Sequence, residues 1–146
     1  MHKLALDARP LGYAGLLPQA AFLLAVLKGG PAGWTALALA YAYAALIFSF
    51  LGGIWWGIAI ARPETPRWAL FAAVMPSLIA LGLWFPWMVG WTWPGPQLVV
   101  LGLCIALSHL VDRALWRGPP SGWRALRRSL SLGLGGLTIA TGLLAL

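Results

Sequence analysis

The chain holds few side chains able to do chemistry, and the densest group of them is Ser108, His109 and Asp112. His109 and Asp112 are three residues apart and Ser108 and Asp112 four apart, so on a helix each pair shares a face. Gly102 and Ala106 extend the His109 side of that face. Ionisable groups inside a bilayer are expensive and face protein or water. A His–Asp pair in such a place can relay protons, bind a cation or anchor a polar ligand head. Depth weighs against these roles, because Asp112 is followed directly by Arg113 and so lies near the end of its apolar run. The plainer arrangement, which depth favours, has two parts. Asp112 forms a salt bridge with Arg113 or the basic segment beyond it, and His109 bonds a backbone carbonyl.

Other chemistries find little support. Ser108 and His109 are neighbours, and adjacent helical residues point about 100° apart, which excludes the usual nucleophile–base bond. Two His, one Cys and three acidic residues show no spacing of a zinc or haem site, so no metal ligand is assigned and the cofactor is left unknown. The glycines occur in apolar runs rather than strand-to-helix turns, so there is no phosphate loop. Cys104 stands alone and has no intramolecular disulfide partner.

The elements that must carry these residues are set by composition. Of 146 residues, 61% are hydrophobic and 9% charged, too few polar groups to cover a soluble globule. A membrane-spanning helix takes about 20 apolar residues. Five such runs, over about residues 11–27, 34–61, 68–89, 97–115 and 129–146, use nearly the whole chain. The expectation is an all-α bundle of five transmembrane helices forming one domain, 1–146. The run at 11–27 follows Lys3 and Arg9 but ends in Lys28-Gly29-Gly30-Pro31 without a small-x-small cleavage site, so it reads as a span rather than a signal peptide. Pro18 predicts a break near Tyr13 to Gly15, and Pro76 a kink at which Ser77 bonds a freed carbonyl. The segment from Arg113 to Arg128 reads as a linker whose part from Trp123 onward lies flat at the interface.

The ten Lys and Arg residues set the orientation. Alternate connections fall on opposite sides, which puts nine on one side and Lys28 alone on the other. By the positive-inside rule the N-terminus is cytoplasmic and the C-terminus outside, in a bacterial inner membrane. The aromatic belt of Trp84, Phe85, Trp87, Trp91 and Trp93 falls on the side called external, which agrees. The net charge of +7 is read as topology signal and anionic-lipid contact rather than nucleic-acid binding. Arg113, Arg117, Arg124, Arg127 and Arg128 are the candidates for head-group contact.

A second group could line a cavity or pack helices: Tyr13, Gln19, Tyr41, Tyr43, Ser49, Trp55 and Trp56, with space opened by Pro18 and Pro76. Plain interhelical packing is the competing reading. Ala45, Ser49, Gly53, Gly57 and Ala61 recur every four residues, with Gly52 widening the stripe, and such stripes let helices approach closely. With the small residues of the last span, they point to a homo-oligomer.

The chain resembles the small bacterial and mitochondrial membrane proteins grouped as domain of unknown function 3429, or transmembrane protein 69-like. The residues that carry the resemblance are Leu11-Gly12-Tyr13-Ala14-Gly15-Leu16-Leu17-Pro18, Phe48-Ser49-Phe50-Leu51-Gly52-Gly53-Ile54-Trp55-Trp56-Gly57, Met75-Pro76-Ser77-Leu78-Ile79-Ala80, Asp112, and Trp123-Arg124-Ala125-Leu126-Arg127-Arg128-Ser129-Leu130. The double-Gly and Trp segment is the most specific. The resemblance implies a multi-span protein and supplies no mechanism. Five spans rich in tryptophan are also similar in architecture to the tryptophan-rich sensory proteins, but their Trp-x-Pro-Pro type segment is absent.

Three functions compete. The residues best support a binding or assembly protein for a hydrophobic ligand or partner membrane protein. A small homo-oligomeric transporter or channel is the alternative, with His109 and Asp112 near its mouth. A lipid-modifying enzyme is disfavoured by the scarcity of reactive groups. Transport predicts a continuous polar path, binding a closed apolar pocket walled by tryptophan, and catalysis His109 and Asp112 in contact within a cleft.

Overall fold

A computed structural model describes residues 2–116 and 121–146. It is all-helical: α1 (His2–Ala14), α2 (Leu17–Lys28), α3 (Pro31–Ala61), α4 (Trp68–Met88), α5 (Gly95–Leu115) and α6 (Ser121–Leu144), with no strand among the described residues. Four stretches are long and apolar enough to cross a membrane: Ala8–Lys28, Pro31–Ala61, Trp68–Met88 and Gly95–Leu115. α6, of 24 residues, is not among these four, and its first turns carry Arg124, Arg127 and Arg128.

The first apolar run is two helices. Pro18 has no N–H to give to the fourth residue before it, so the helix stops and a new one starts with Pro18 in its first turn. Gly15 and Leu16 form the turn between them, where Gly15 N donates to the carbonyl of Leu11 at 3.1 Å and Leu16 N to that of Tyr13 at 3.0 Å. The Gly15 carbonyl accepts the Tyr43 hydroxyl from α3 at 2.5 Å, so a neighbouring helix satisfies the break. At the far end, Gly29 and Gly30 have φ of 70° and 80°, the left-handed region that favours glycine, and Pro31 opens α3. At about 1.5 Å per residue α3 is roughly 46 Å long, beyond a hydrocarbon layer of about 30 Å.

Close approach of α3 and α4 needs Gly52. A Cβ there would overlap the Ala73 carbonyl and come 3.3 Å from the Pro76 ring. α5 and α6 pack antiparallel in a similar way. A Cβ on Gly102 would lie 2.8 Å from the Gly135 carbonyl, and one on Gly142 2.8 Å from that of Gly95. The core is Ala40, Tyr41, Ala44, Phe48 and Leu51 of α3 against Leu98, Leu101 and Ile105 of α5, with Leu134 of α6 and Trp93.

Two sequence expectations change here. Residues 123–128 are not a separate interfacial segment, because they form part of the opening turns of α6, continuous with the rest of that helix. Ser77 is exposed and makes no side-chain hydrogen bond among the described residues, while Pro76 itself is buried against α3.

The ends of the bundle differ in chemistry. Arg62, after α3, stacks 4.7 Å over the ring of Trp116, after α5, and a Cβ on Gly122 would lie 3.2 Å from Nη2 of Arg9. The basic connections therefore share one end. At the other, Trp93 contacts Tyr41, Trp84, Trp87 and Trp34, at centroid distances of 5.2 to 6.0 Å. Phe85 and Trp91 of the expected belt are exposed.

Candidate functional site

α5 presents Asp112 in its last turn, between Trp55 of α3 and Arg127 of α6. One carboxylate oxygen, Oδ1, accepts the Trp55 indole N–H at 2.7 Å. The other, Oδ2, accepts from Arg127 Nη2 at 2.8 Å, an ion pair whose side chains are 10% and 6% exposed. A charge withdrawn from water is tolerated only when paired and hydrogen-bonded, and Asp112 has both. One turn along each helix, Ser108 and Ser131 meet at 3.1 Å, and Ser108 also donates to the Ile105 carbonyl at 2.6 Å. The α5–α6 register thus sets Asp112 against Arg127, Ser108 against Ser131, and then glycine against helix.

Two openings adjoin this cluster, and the ion pair stands between them. The first is an apolar cavity of about 210 Å³ at the break between α1 and α2. Leu11, Leu16, Phe50, Leu130 and Leu134 line most of it, and Arg127 and Ser131 are its polar members. The second is a polar basin of about 480 Å³ formed by His109, Asp112, Arg113, Arg124, Ala125 and Arg128. Arg127 faces the first and Asp112 the second. The guanidinium Nε has no hydrogen-bond partner among the described residues.

The polar face expected on α5 is real, but its partners differ from a proton relay. His109 Nδ1 lies 2.6 Å from the Ala106 carbonyl, three residues back on its own helix. Asp112 is engaged by Trp55 and Arg127 rather than by His109. Both line the basin without a hydrogen bond between them. Of the head-group candidates, Arg113, Arg124 and Arg128 are exposed, and Arg117 lies outside the described residues. Arg127 is corrected: it is 5% exposed and turned inward, because Asp112 supplies a countercharge that lipid would otherwise provide.

The second candidate group divides. Gln19, Tyr41, Gly52, Trp55 and Pro76 are buried. Gln19 Nε2 donates to Thr138 Oγ1 at 3.0 Å, which ties α2 to α6, and Tyr41 donates to the Ala80 carbonyl at 2.5 Å. Tyr13, Gly53, Trp56 and Gly57 are exposed, and Ser49 is half-buried. A Cβ on Gly53 or Gly57 would meet nothing, so the regular stripe faces out of the chain and its neighbour Gly52 makes the contact. The helix turns by 100° per residue, and one position decides which side packs. Ser131, Thr138 and the role of Arg127 were missed from sequence. The signal was present in the four-residue spacing Arg127–Ser131–Gly135, which mirrors Ser108–Asp112.

A helical membrane protein with four stretches long and apolar enough to span a bilayer, and a buried Trp–Asp–Arg cluster at its basic end, is the class these features define. The family described as Protein of unknown function (DUF3429) matches residues 5–144, and the chain belongs to it. Among curated proteins, Transmembrane protein 69 of Xenopus tropicalis is 39% identical over 129 residues, covering 84% of this chain and 48% of that protein. The chain spans about half the length of that relative. No solved structure matches.

Proposed function

We propose that the protein is a membrane-embedded binding protein whose ligand is a hydrophobic molecule held in the cavity beside Arg127. The observation that supports this most is the cavity itself. It measures about 210 Å³, its walls are apolar, and it lies where Pro18 splits the first span. It is half-open rather than closed, with Leu11 and Phe50 exposed and no tryptophan in its wall, so the expected closed tryptophan pocket is replaced by a cleft open along one side. Permeation has less support, since Gln19, Ser131 and Thr138 are each 2% exposed or less and bond to other groups of the bundle. We place the arginine-rich end at the cytoplasmic face of a bacterial inner membrane by the positive-inside rule, where the basin would meet anionic head groups. A homo-oligomer through the outward stripe of α3 belongs to the same proposal.

Native mass spectrometry of protein released gently from its own membrane tests the reading. A discrete bound mass that survives mild activation is expected, and it should vanish in Leu130→Trp, which fills the cavity. A bare oligomer carrying bulk lipid alone would refute binding. It would turn attention to permeation, tested by liposome flux of wild type against His109→Ala.

A further inference from the structure

We infer that the ligand of the cavity carries a neutral oxygen acceptor, a carbonyl or ester on a long apolar body, and not a free acid. This deepens the binding reading above and rests on it. Arg127 is 5% exposed, lines the cavity, and its Nε has no partner among the described residues. A guanidinium carries five N–H donors, and among the described residues one hydrogen bond is made, from Nη2 to Asp112. Ser131 lines the same wall. The Ser131 hydroxyl is already committed to Ser108, so the open donor is Arg127 Nε. Buried donors find acceptors, and a molecule filling this space gains by bringing an oxygen to it.

Charge decides which oxygen. Asp112 already neutralises Arg127 at 2.8 Å. A ligand carboxylate at the same guanidinium would put two like charges around one cation in a low-dielectric wall, which disfavours the ionised form. Arg113, Arg124 and Arg128 do not relieve this. They line the basin on the other side of the ion pair and are exposed, so water and salt screen them. The basin attracts anions, while the cavity offers a donor whose charge Asp112 already neutralises.

The test compares methyl palmitate, palmitate and hexadecane, supplied at equal concentration in mild detergent micelles to the full chain at pH 7.5. Native mass spectrometry reads the bound fraction. Methyl palmitate is expected to exceed both others by roughly tenfold, the ratio given by one net hydrogen bond to a charged donor. Arg127→Lys keeps the ion pair and removes Nε, and should bring the ester down to the level of hexadecane. Palmitate binding as well as or better than the ester overturns the inference, as does a free fatty acid recovered as the native ligand. Equal ester and hexadecane binding also overturns it while leaving the cavity reading intact. Failure of all three probes, with nothing bound to the native protein, refutes the cavity reading itself. Should Arg127→Lys fail to fold, the wild-type comparison still decides.

Discussion

Replacing Asp112 by Leu should be among the most damaging single changes in this chain, and adding Arg127→Met should repair most of the damage. The geometry sets the magnitudes. Asp112→Leu leaves the Arg127 guanidinium buried without its countercharge, a loss of about 3–5 kcal/mol. It also orphans the Trp55 indole N–H now bonded at 2.7 Å, for a further loss of about 1–3 kcal/mol. Arg127→Met alone strands the carboxylate, again about 3–5 kcal/mol, with Trp55 still donating. The double variant has no buried charge and only the orphaned indole, so it should lose about 1–3 kcal/mol. Added independently, the single losses would reach about 7 kcal/mol or more; the orphaned indole is common to Asp112→Leu and the double variant and cancels, so the coupling is about 6 kcal/mol or more. Reversible unfolding in mixed micelles, followed by the emission of the ten tryptophans, measures all four proteins of the cycle. Single variants each within about 1 kcal/mol of wild type, with additive losses, would refute the reasoning, because the pair would then behave as a solvated surface contact.

Three further outcomes follow from individual contacts. Gly52→Ala should destabilise by about 1–3 kcal/mol, since its Cβ meets the Ala73 carbonyl, whereas Gly53→Ala meets nothing within the chain and should leave the unfolding of the monomer neutral or stabilised by about 0.5–1 kcal/mol; the same unfolding assay, run on monomer, separates them. Tyr43→Phe leaves the Gly15 carbonyl without its 2.5 Å partner, and should raise hydrogen exchange around the turn between α1 and α2 while sparing α4. Trp55→Phe should weaken the bundle by about 1–3 kcal/mol in wild type but much less in the Asp112→Leu background, where the indole acceptor is already gone.

Much of the architecture was written in the order of residues. Long apolar runs leave a membrane chain no form but helices, because every backbone N–H and C=O must be satisfied within its own segment. Pro18 dictated a break, Gly29-Gly30-Pro31 a turn, and the uneven arginines a basic end. The spacing of Ser108, His109 and Asp112 likewise marked a polar face, and the pairing of Asp112 with the basic segment was legible from its depth.

What sequence order left open was which side of each helix meets which neighbour. Gly52 and Gly53 are chemically identical, and the docking of α4 alone made one a tight contact and left the other open. Arg127 and Arg128 are equally basic, yet the rotation of α6 turned one toward Asp112 and the other to the surface. The cavity, too, exists only because Leu11, Phe50 and Leu130 come from three separate helices. Local chemistry determines elements along the chain, whereas rotation and register between helices depend on the packing of all of them together. The functional surface of this protein was decided at that level.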